Sequence, residues 1–283
     1  MGYETIEVKP LAGALGAEVG GVKLKAVKDN RTWDEINRAF LDHKVLVFRD
    51  QGLSPDDIMA VGGRFGEPSY YPFVTGMDGY PYIFEVIKEP SETRNFGGGW
   101  HSDTTYLEKP PLATLLYAVE TPASGGDTVF ANTAAAYDAL SDGMKSLIAP
   151  LKGIYSAGLK RSGGRANIHR QVGAMKIQNA EQADTYEAIH PIARTHPETG
   201  RKALYVSKGH TIRIESMSED ESRPLIDYLA DHSTRLEFTC RVRWEPGTLT
   251  VWDNRCTQHN AINDYHGQRR RMQRLTVGAQ VPA

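Results

Sequence analysis

From Tyr80 onward the sequence is broken into short β-prone runs, and that texture limits the folds open to it. The runs are Tyr82 to Ile87, Ala113 to Glu120, Thr128 to Ala131, Ile189 to Arg194, Ala203 to Ser207, Phe238 to Trp244, Thr248 to Trp252 and Gln273 to Ala279, with Gly, Pro and Asn clusters between them. Two helical stretches interrupt the series. One is Ala134 to Ile148, the other Glu219 to His232, capped by Ser218 with an acidic first turn. Upstream, Glu4 to Leu24 reads as a short hairpin with turns at Gly16 and Gly20-Gly21. Thr32 to His43 carries Trp33, Ile36, Phe40 and Leu41 at helical spacing, and Val45 to Phe48 follows as a short apolar strand. Ser54-Pro55-Asp56-Asp57 then starts a helix running to about Phe65 and stopping at Gly66. Many short strands predict a mainly β (α+β) chain with a sandwich or jelly-roll core and flanking helices, rather than a βαβ sheet. An α+β sheet of another topology is the alternative. No repeat, low-complexity tract or Pro/Ser linker divides the 283 residues, so a single domain spanning 1–283 is expected.

Composition excludes more than it selects. A net charge of −2 with 24% charged residues gives no global basic field for nucleic acid or an anionic membrane. No stretch approaches the eighteen or so apolar residues of a spanning helix, and the first residues lack a positive region followed by an apolar run, so neither a membrane span nor a secretory signal is expected. Cys240 and Cys256 are too few for a disulfide framework, which points to the reducing cytoplasm and to packed free thiols. Lys160, Arg161, Arg165, His169 and Arg170 lie among Ser and Gly in Tyr155 to Arg170. That stretch reads as a solvated mobile loop or as a basic lid over an anionic substrate.

Trp100-His101-Ser102-Asp103 carries the first chemistry. In an extended segment His101 and Asp103 share a face, about 7 Å apart at the backbone, so both side chains can converge on one metal ion. A remote histidine would complete two imidazoles and one carboxylate, the facial set of non-haem Fe(II) oxygenases. The second stretch, Trp252-Asp253-Asn254-Arg255-Cys256-Thr257-Gln258-His259, offers such a histidine. Arg269-Arg270-Arg271-Met272-Gln273-Arg274 opens the last β-prone run. With a period of two, Arg270 and Arg274 share one face and Arg269 and Arg271 the other. Four residues of strand span about 13 Å, so Arg270 and Arg274 can hold carboxylates at two places along a pocket.

These residues resemble the taurine dioxygenase (TauD/TfdA) family of Fe(II)- and 2-oxoglutarate-dependent dioxygenases. The resemblance covers nearly the full length and is dense at Trp100 to Asp103, Gly125-Gly126-Asp127-Thr128, Trp252 to Arg255 with Thr257-Gln258-His259, and Gln268 to Arg274, with His259 lying 158 positions after His101. It implies a double-stranded β-helix (jelly-roll) core, with Fe(II) bound by His101, Asp103 and His259, and 2-oxoglutarate and O2 as cosubstrates. Arg270, assisted by the Thr128 hydroxyl, would take the distal carboxylate of 2-oxoglutarate. Arg274 would lie near its metal-binding end and the acidic group of the substrate. Asp253 and Asn254, just before the last ligand, read as strand-end residues that orient it or have a purely structural role. The reaction implied is oxidative decarboxylation of 2-oxoglutarate to succinate and CO2, coupled to C–H hydroxylation of a small anionic substrate.

The departures fall on the substrate side. Tyr71 stands where taurine enzymes place a substrate-binding histidine, Gly97 near their asparagine, and His210 where they have an aromatic residue. The expected substrate is therefore a sulfonate, sulfate ester, aryloxyalkanoate or other carboxylate rather than taurine, and the glycine run Gly97 to Gly99 leaves room for a bulkier body. A homo-oligomer is expected, with no nucleic-acid or membrane partner. Two other classes stand beside this reading: a non-catalytic metal-binding jelly-roll protein, and a zinc hydrolase with the same three ligands. Arg270 and Thr128 discriminate, because neither alternative needs a dicarboxylate clamp.

Overall fold

The structure, a computed structural model, describes residues 2–158 and 164–283. Its largest element is an eight-stranded sheet. In spatial order this runs β1 (Glu7–Pro10), β2 (Ala17–Gly20), β3 (Val45–Phe48), β14 (Leu249–Asp253), β6 (Pro111–Glu120), β16 (Arg270–Ala279) and β4 (Pro68–Ser69), with β5 (Ile83–Lys88) also paired to β16. A three-stranded sheet of β13 (Thr239–Val242), β7 (Thr128–Asn132) and β15 (Thr257–Ala261) carries the end of the second motif. Another joins β12 (Thr211–Ile214), β8 (Lys152–Ser156) and β9 (Glu187–Pro191), and β10 (Ala193–Thr195) pairs with β11 (Lys202–Leu204). The helices are α1 (Asn30–His43), α2 (Pro55–Gly62), α3 (Thr133–Asp138), α4 (Asp142–Ile148), α5 (Arg165–Arg170) and α6 (Glu219–Ser233).

Strand alternation sorts the large sheet into two faces. Leu46, Phe48, Leu115 and Val251 pack with Ile36 and Phe40 of α1 and Ile58 and Val61 of α2. Val45, Val47, Leu116 and Trp252 point the other way and meet Phe130 and Val242 of the small sheet. The two helices thus close one face, and the other is left for the small sheet and the site. Both begin where polar caps dictate: Asp29 accepts from the Thr32 amide at α1, and Ser54 and Asp57 cap one another at α2. Asp29 starts α1 at Asn30, two residues before the Thr32 read from the apolar pattern.

The sequence reading is corrected at several elements. Ala134 to Ile148 is two helices, because Ser141 accepts from the Met144 amide and restarts the chain as a new N-terminus. α2 ends at Gly62 and leaves Phe65 in a turn. The run Ile189 to Arg194 divides between β9 and β10, and β4, β8, β12 and β15 were not foreseen. Among the described residues no helix is long and apolar enough to cross a membrane. Cys240 and Cys256 are free and buried, as the cysteine count suggested.

Candidate active site

β15 exists because β7 offers it a partner, and that pairing sets His259 opposite Phe130. His259 also exchanges backbone hydrogen bonds with His101, at 3.1 and 2.8 Å, so an isolated bridge holds the two histidines side by side. Two residues on, Asp103 turns its carboxylate to the same point: Oδ1 is 3.7 Å from Nε2 of both His101 and His259. One donor atom from each residue falls within a 4.8 Å group. His101 Nδ1 is 2.8 Å from the Gly99 carbonyl, which can only accept, so the proton resides there and Nε2 faces the site with its lone pair.

Asp103 is aimed by a buried relay. The Trp252 indole N–H donates to Asn254 Oδ1 at 3.0 Å, Asn254 Nδ2 donates to Thr114 Oγ1 at 2.8 Å, and Thr114 donates to Asp103 Oδ2 at 2.6 Å. An indole can only donate, so the direction of the whole chain is fixed and Oδ1 is left for the site. Asn254 therefore steadies Asp103 rather than His259. Asp253 does neither. It accepts from Arg255 at 2.8 and 2.7 Å and lies 2.9 Å from His196, in a buried ion cluster that Glu198 extends. His196, Asp253 and Cys256 could hold a metal by spacing alone, but the Arg255 guanidinium already neutralises that carboxylate.

Electrostatics favour a cation at the triad. Burial pushes the Asp103 carboxyl up, yet Arg274, His259, His101 and the Thr114 hydroxyl together hold it well below the usual carboxylate range. Burial, then the neighbouring His101, keeps His259 neutral. Two neutral imidazoles and one carboxylate are the donor set of a divalent metal, so a metal fits these residues.

Arg270 and Arg274 point inward from β16, while Arg269 pairs with Glu89 and Glu120, and Arg271 with Glu85, on the other face. Period-two alternation is what separates them. Arg274 Nη2 lies 2.5 Å from Asp103 Oδ1, but the contact is not aligned as a hydrogen bond, and its Nε and Nη2 are buried without partners. Arg270 Nε and Nη2 are likewise unpartnered, with the guanidinium carbon 5.6 Å from the Trp244 ring centre. Trp244 Nε1 in turn donates to Thr128 at 3.0 Å, so one indole touches both Arg270 and Thr128.

A chamber of about 710 Å³ opens over the triad and is lined by Tyr71, Gly97, His210 and Arg274, all four named from the sequence. Tyr71 stacks on Phe84 at 4.9 Å, so it belongs to the core and the chamber wall at once. Gly97 has φ +79, a backbone that favours glycine. Thr105 is 3.1 Å from His210 Nδ1, and the His210 ring meets His101 edge-on at 5.8 Å. Arg165 and His169 of the basic stretch are buried against the same chamber instead of being solvated. Arg170 is exposed, and Lys160 and Arg161 lie outside the described residues. Arg165 and His169 were read only as part of the basic stretch, and Thr114 was missed. The only signal for Thr114 was a hydroxyl inside an otherwise apolar run.

The profile of the taurine catabolism dioxygenase TauD, TfdA family matches residues 7–276. The chain belongs to that family, and it is an alpha-ketoglutarate-dependent dioxygenase. It is 38% identical over 282 residues to an alpha-ketoglutarate-dependent sulfate ester dioxygenase of Pseudomonas putida, covering 98% of this chain and 91% of that one. A crystal structure of a taurine dioxygenase from Burkholderia xenovorans superposes with a TM-score of 0.82 at 33% identity, covering 99% of this chain and 93% of the other. The structure of AAD-2 in complex with Mn(II) and N-oxalylglycine gives 0.79 at 29% identity, covering 99% of both chains.

Proposed function

We propose that His101, Asp103 and His259 bind Fe(II), that Arg270 with Thr128 holds the distal carboxylate of 2-oxoglutarate, and that Arg274 serves both its metal-binding end and the anionic group of a small organic substrate. The observation that carries this is one strand face with two buried guanidiniums, each with Nε and Nη2 making no hydrogen bond, the nearer in contact with the triad carboxylate. When bound, the metal supplies the O2 chemistry that turns 2-oxoglutarate into succinate and CO2 and hydroxylates a substrate C–H bond. The residues of this chain do the rest. Arg270 and Thr128 fix the cosubstrate by charge-assisted bonds that offset its desolvation. The Thr114 relay keeps Asp103 Oδ1 presented. Tyr71, Phe96 and Tyr106 keep water from the reacting carbon.

The substrate is a sulfonate, sulfate ester, aryloxyalkanoate or other carboxylate, contacted by Tyr71, Gly97 and His210. The named activity of the Pseudomonas putida relative supports this range. On the same reading the large sheet and the β13–β7–β15 sheet are the halves of a double-stranded β-helix in one domain, and the protein is a cytoplasmic homo-oligomer. A substrate-dependent succinate assay over that panel tests the reaction. Iron content of His101→Ala and His259→Ala proteins after anaerobic reconstitution tests the ligands, and near-stoichiometric Fe(II) in either variant overturns the assignment.

A further inference from the structure

The proposed function gives Arg270 the distal carboxylate of 2-oxoglutarate and Arg274 its metal-binding end and the substrate anion, yet a further guanidinium is buried in the chamber that Arg274 lines. Arg165, at the start of α5, is 6% exposed and forms no ion pair with any described residue. The undescribed residues 159–163 contain no acid to supply one. Its Nε donates to the Ala157 carbonyl at 2.7 Å and its Nη1 to the Tyr71 hydroxyl at 3.4 Å. Its guanidinium carbon lies 4.5 Å from the Phe73 ring centre and 5.1 Å from that of Tyr106. Those rings offset part of its desolvation, but a buried charge with no counter-charge remains costly. One turn along α5, His169 is 4% exposed, is stacked on Phe96 at 6.1 Å, and has a buried Nδ1 without a partner.

Both residues line the chamber over the triad. Tyr71 stands between two cations: Arg165 bonds its hydroxyl, and the Arg274 guanidinium carbon is 5.7 Å from its ring centre. Arg274 is close to Asp103 and the cosubstrate. Arg165 meets Tyr71 at its hydroxyl, whereas Arg274 meets it at the ring. We infer that Arg165, with the Tyr71 hydroxyl and His169, supplies a second set of donors, beside Arg274, to an oxoanion on the substrate and sets which oxoanion is preferred. This rests on the proposed function and deepens it. Sulfonate, sulfate ester and carboxylate share the required chemistry, a monoanion with several acceptor oxygens for forked donors. Phe96, Ile168 and Val172 on the same wall would receive the apolar body.

The test uses the full chain loaded with Mn(II) and 2-oxoglutarate under anaerobic conditions. Calorimetry measures binding of hexyl sulfate, 1-hexanesulfonate, hexanoate and uncharged hexan-1-ol to wild type, Arg165→Gln and Arg165→Lys. Gln keeps a donor for the Ala157 carbonyl and removes the charge, whereas Lys restores the charge. The expected result is that Arg165→Gln loses about thirtyfold or more for the anion that wild type prefers. Hexan-1-ol and 2-oxoglutarate should stay within about twofold, and Lys should recover most of the loss. Which anion binds best in wild type identifies the oxoanion. The inference is overturned if wild type prefers no anion over hexan-1-ol, or if Arg165→Gln binds all four probes like wild type. It is also overturned if anion and alcohol weaken together, which would mark a packing role. Failure of wild type to bind Mn(II) or 2-oxoglutarate would instead overturn the proposed function itself, before any probe is added.

Discussion

At the scale of single residues, the inward arginines of β16 are the clearest link from sequence to site. Alternation alone separates Arg270 and Arg274 from Arg269 and Arg271, and the ion pairs of the outer two follow it. We predict that Arg270→Ala weakens 2-oxoglutarate binding by about 2–5 kcal/mol, the range for removing one partner of a buried charge pair. Anaerobic titration monitored by the metal-cosubstrate absorption band measures it, and an unchanged dissociation constant rules the role out. Thr114 could not be found the same way. Its hydroxyl matters only because Asn254, 140 positions away in sequence, hands it the proton-donor side of a relay. Thr114→Val keeps the shape and removes the donor, so metal affinity should fall about 10–100-fold. Thr114→Ser should restore it. Equal metal affinity in Val and Ser proteins would mean that the relay only packs.

Elements were legible where caps or apolar periodicity spoke locally, and missed where a partner made them. Ser54 and Ser218 announced α2 and α6, and both form capping boxes. β15 reads Thr-Gln-His-Asn-Ala and has no strand signal of its own. It is a strand because β7 pairs with it. The turn that feeds it is held by the buried cluster of His196, Asp253 and Arg255, which exposed Glu198 extends, and this identifies a structural role for half of the second motif. Asp253→Asn leaves the Arg255 guanidinium, 1% exposed, with Glu198 as its one charge partner among the described residues. Its unfolding free energy in urea should drop by about 3–5 kcal/mol. A loss under about 1 kcal/mol would mean that the cluster is not what anchors the turn.

For the whole molecule, the number of short strands pointed correctly to a strand-rich α+β chain. The order β1-β2-β3-β14-β6-β16-β4 was not readable, because it joins strands from opposite ends of the chain. Global stability should depend on pH through His169. Burial, then the Arg165 charge, lowers its pKa in the folded protein to about 4, against about 6.5 in an unfolded chain. As pH falls the unfolded state takes up this proton first, so stability present above about pH 6.5 is lost progressively towards pH 4. The urea midpoint should therefore fall between pH 7 and pH 5, and His169→Phe should flatten that slope. A Phe variant with the wild-type slope would remove His169 from the account.

The two buried thiols give the enzyme a built-in clock. Burial pushes the Cys240 thiol up to about 12 and raises Cys256 as well, so neither is an effective nucleophile while its surroundings stay closed. A disulfide-exchange dye can then react only during an opening, and its rate counts openings. Cys240 reports on β13 at the edge of the small sheet, where its sulfur fills the space beside Gly16. Cys256 reports on the turn between β14 and β15, next to the residues proposed to bind metal. Adding Mn(II) and 2-oxoglutarate should therefore slow labelling at Cys256 more than at Cys240, and equal protection of both would mean that the small sheet and the motif turn open as one unit.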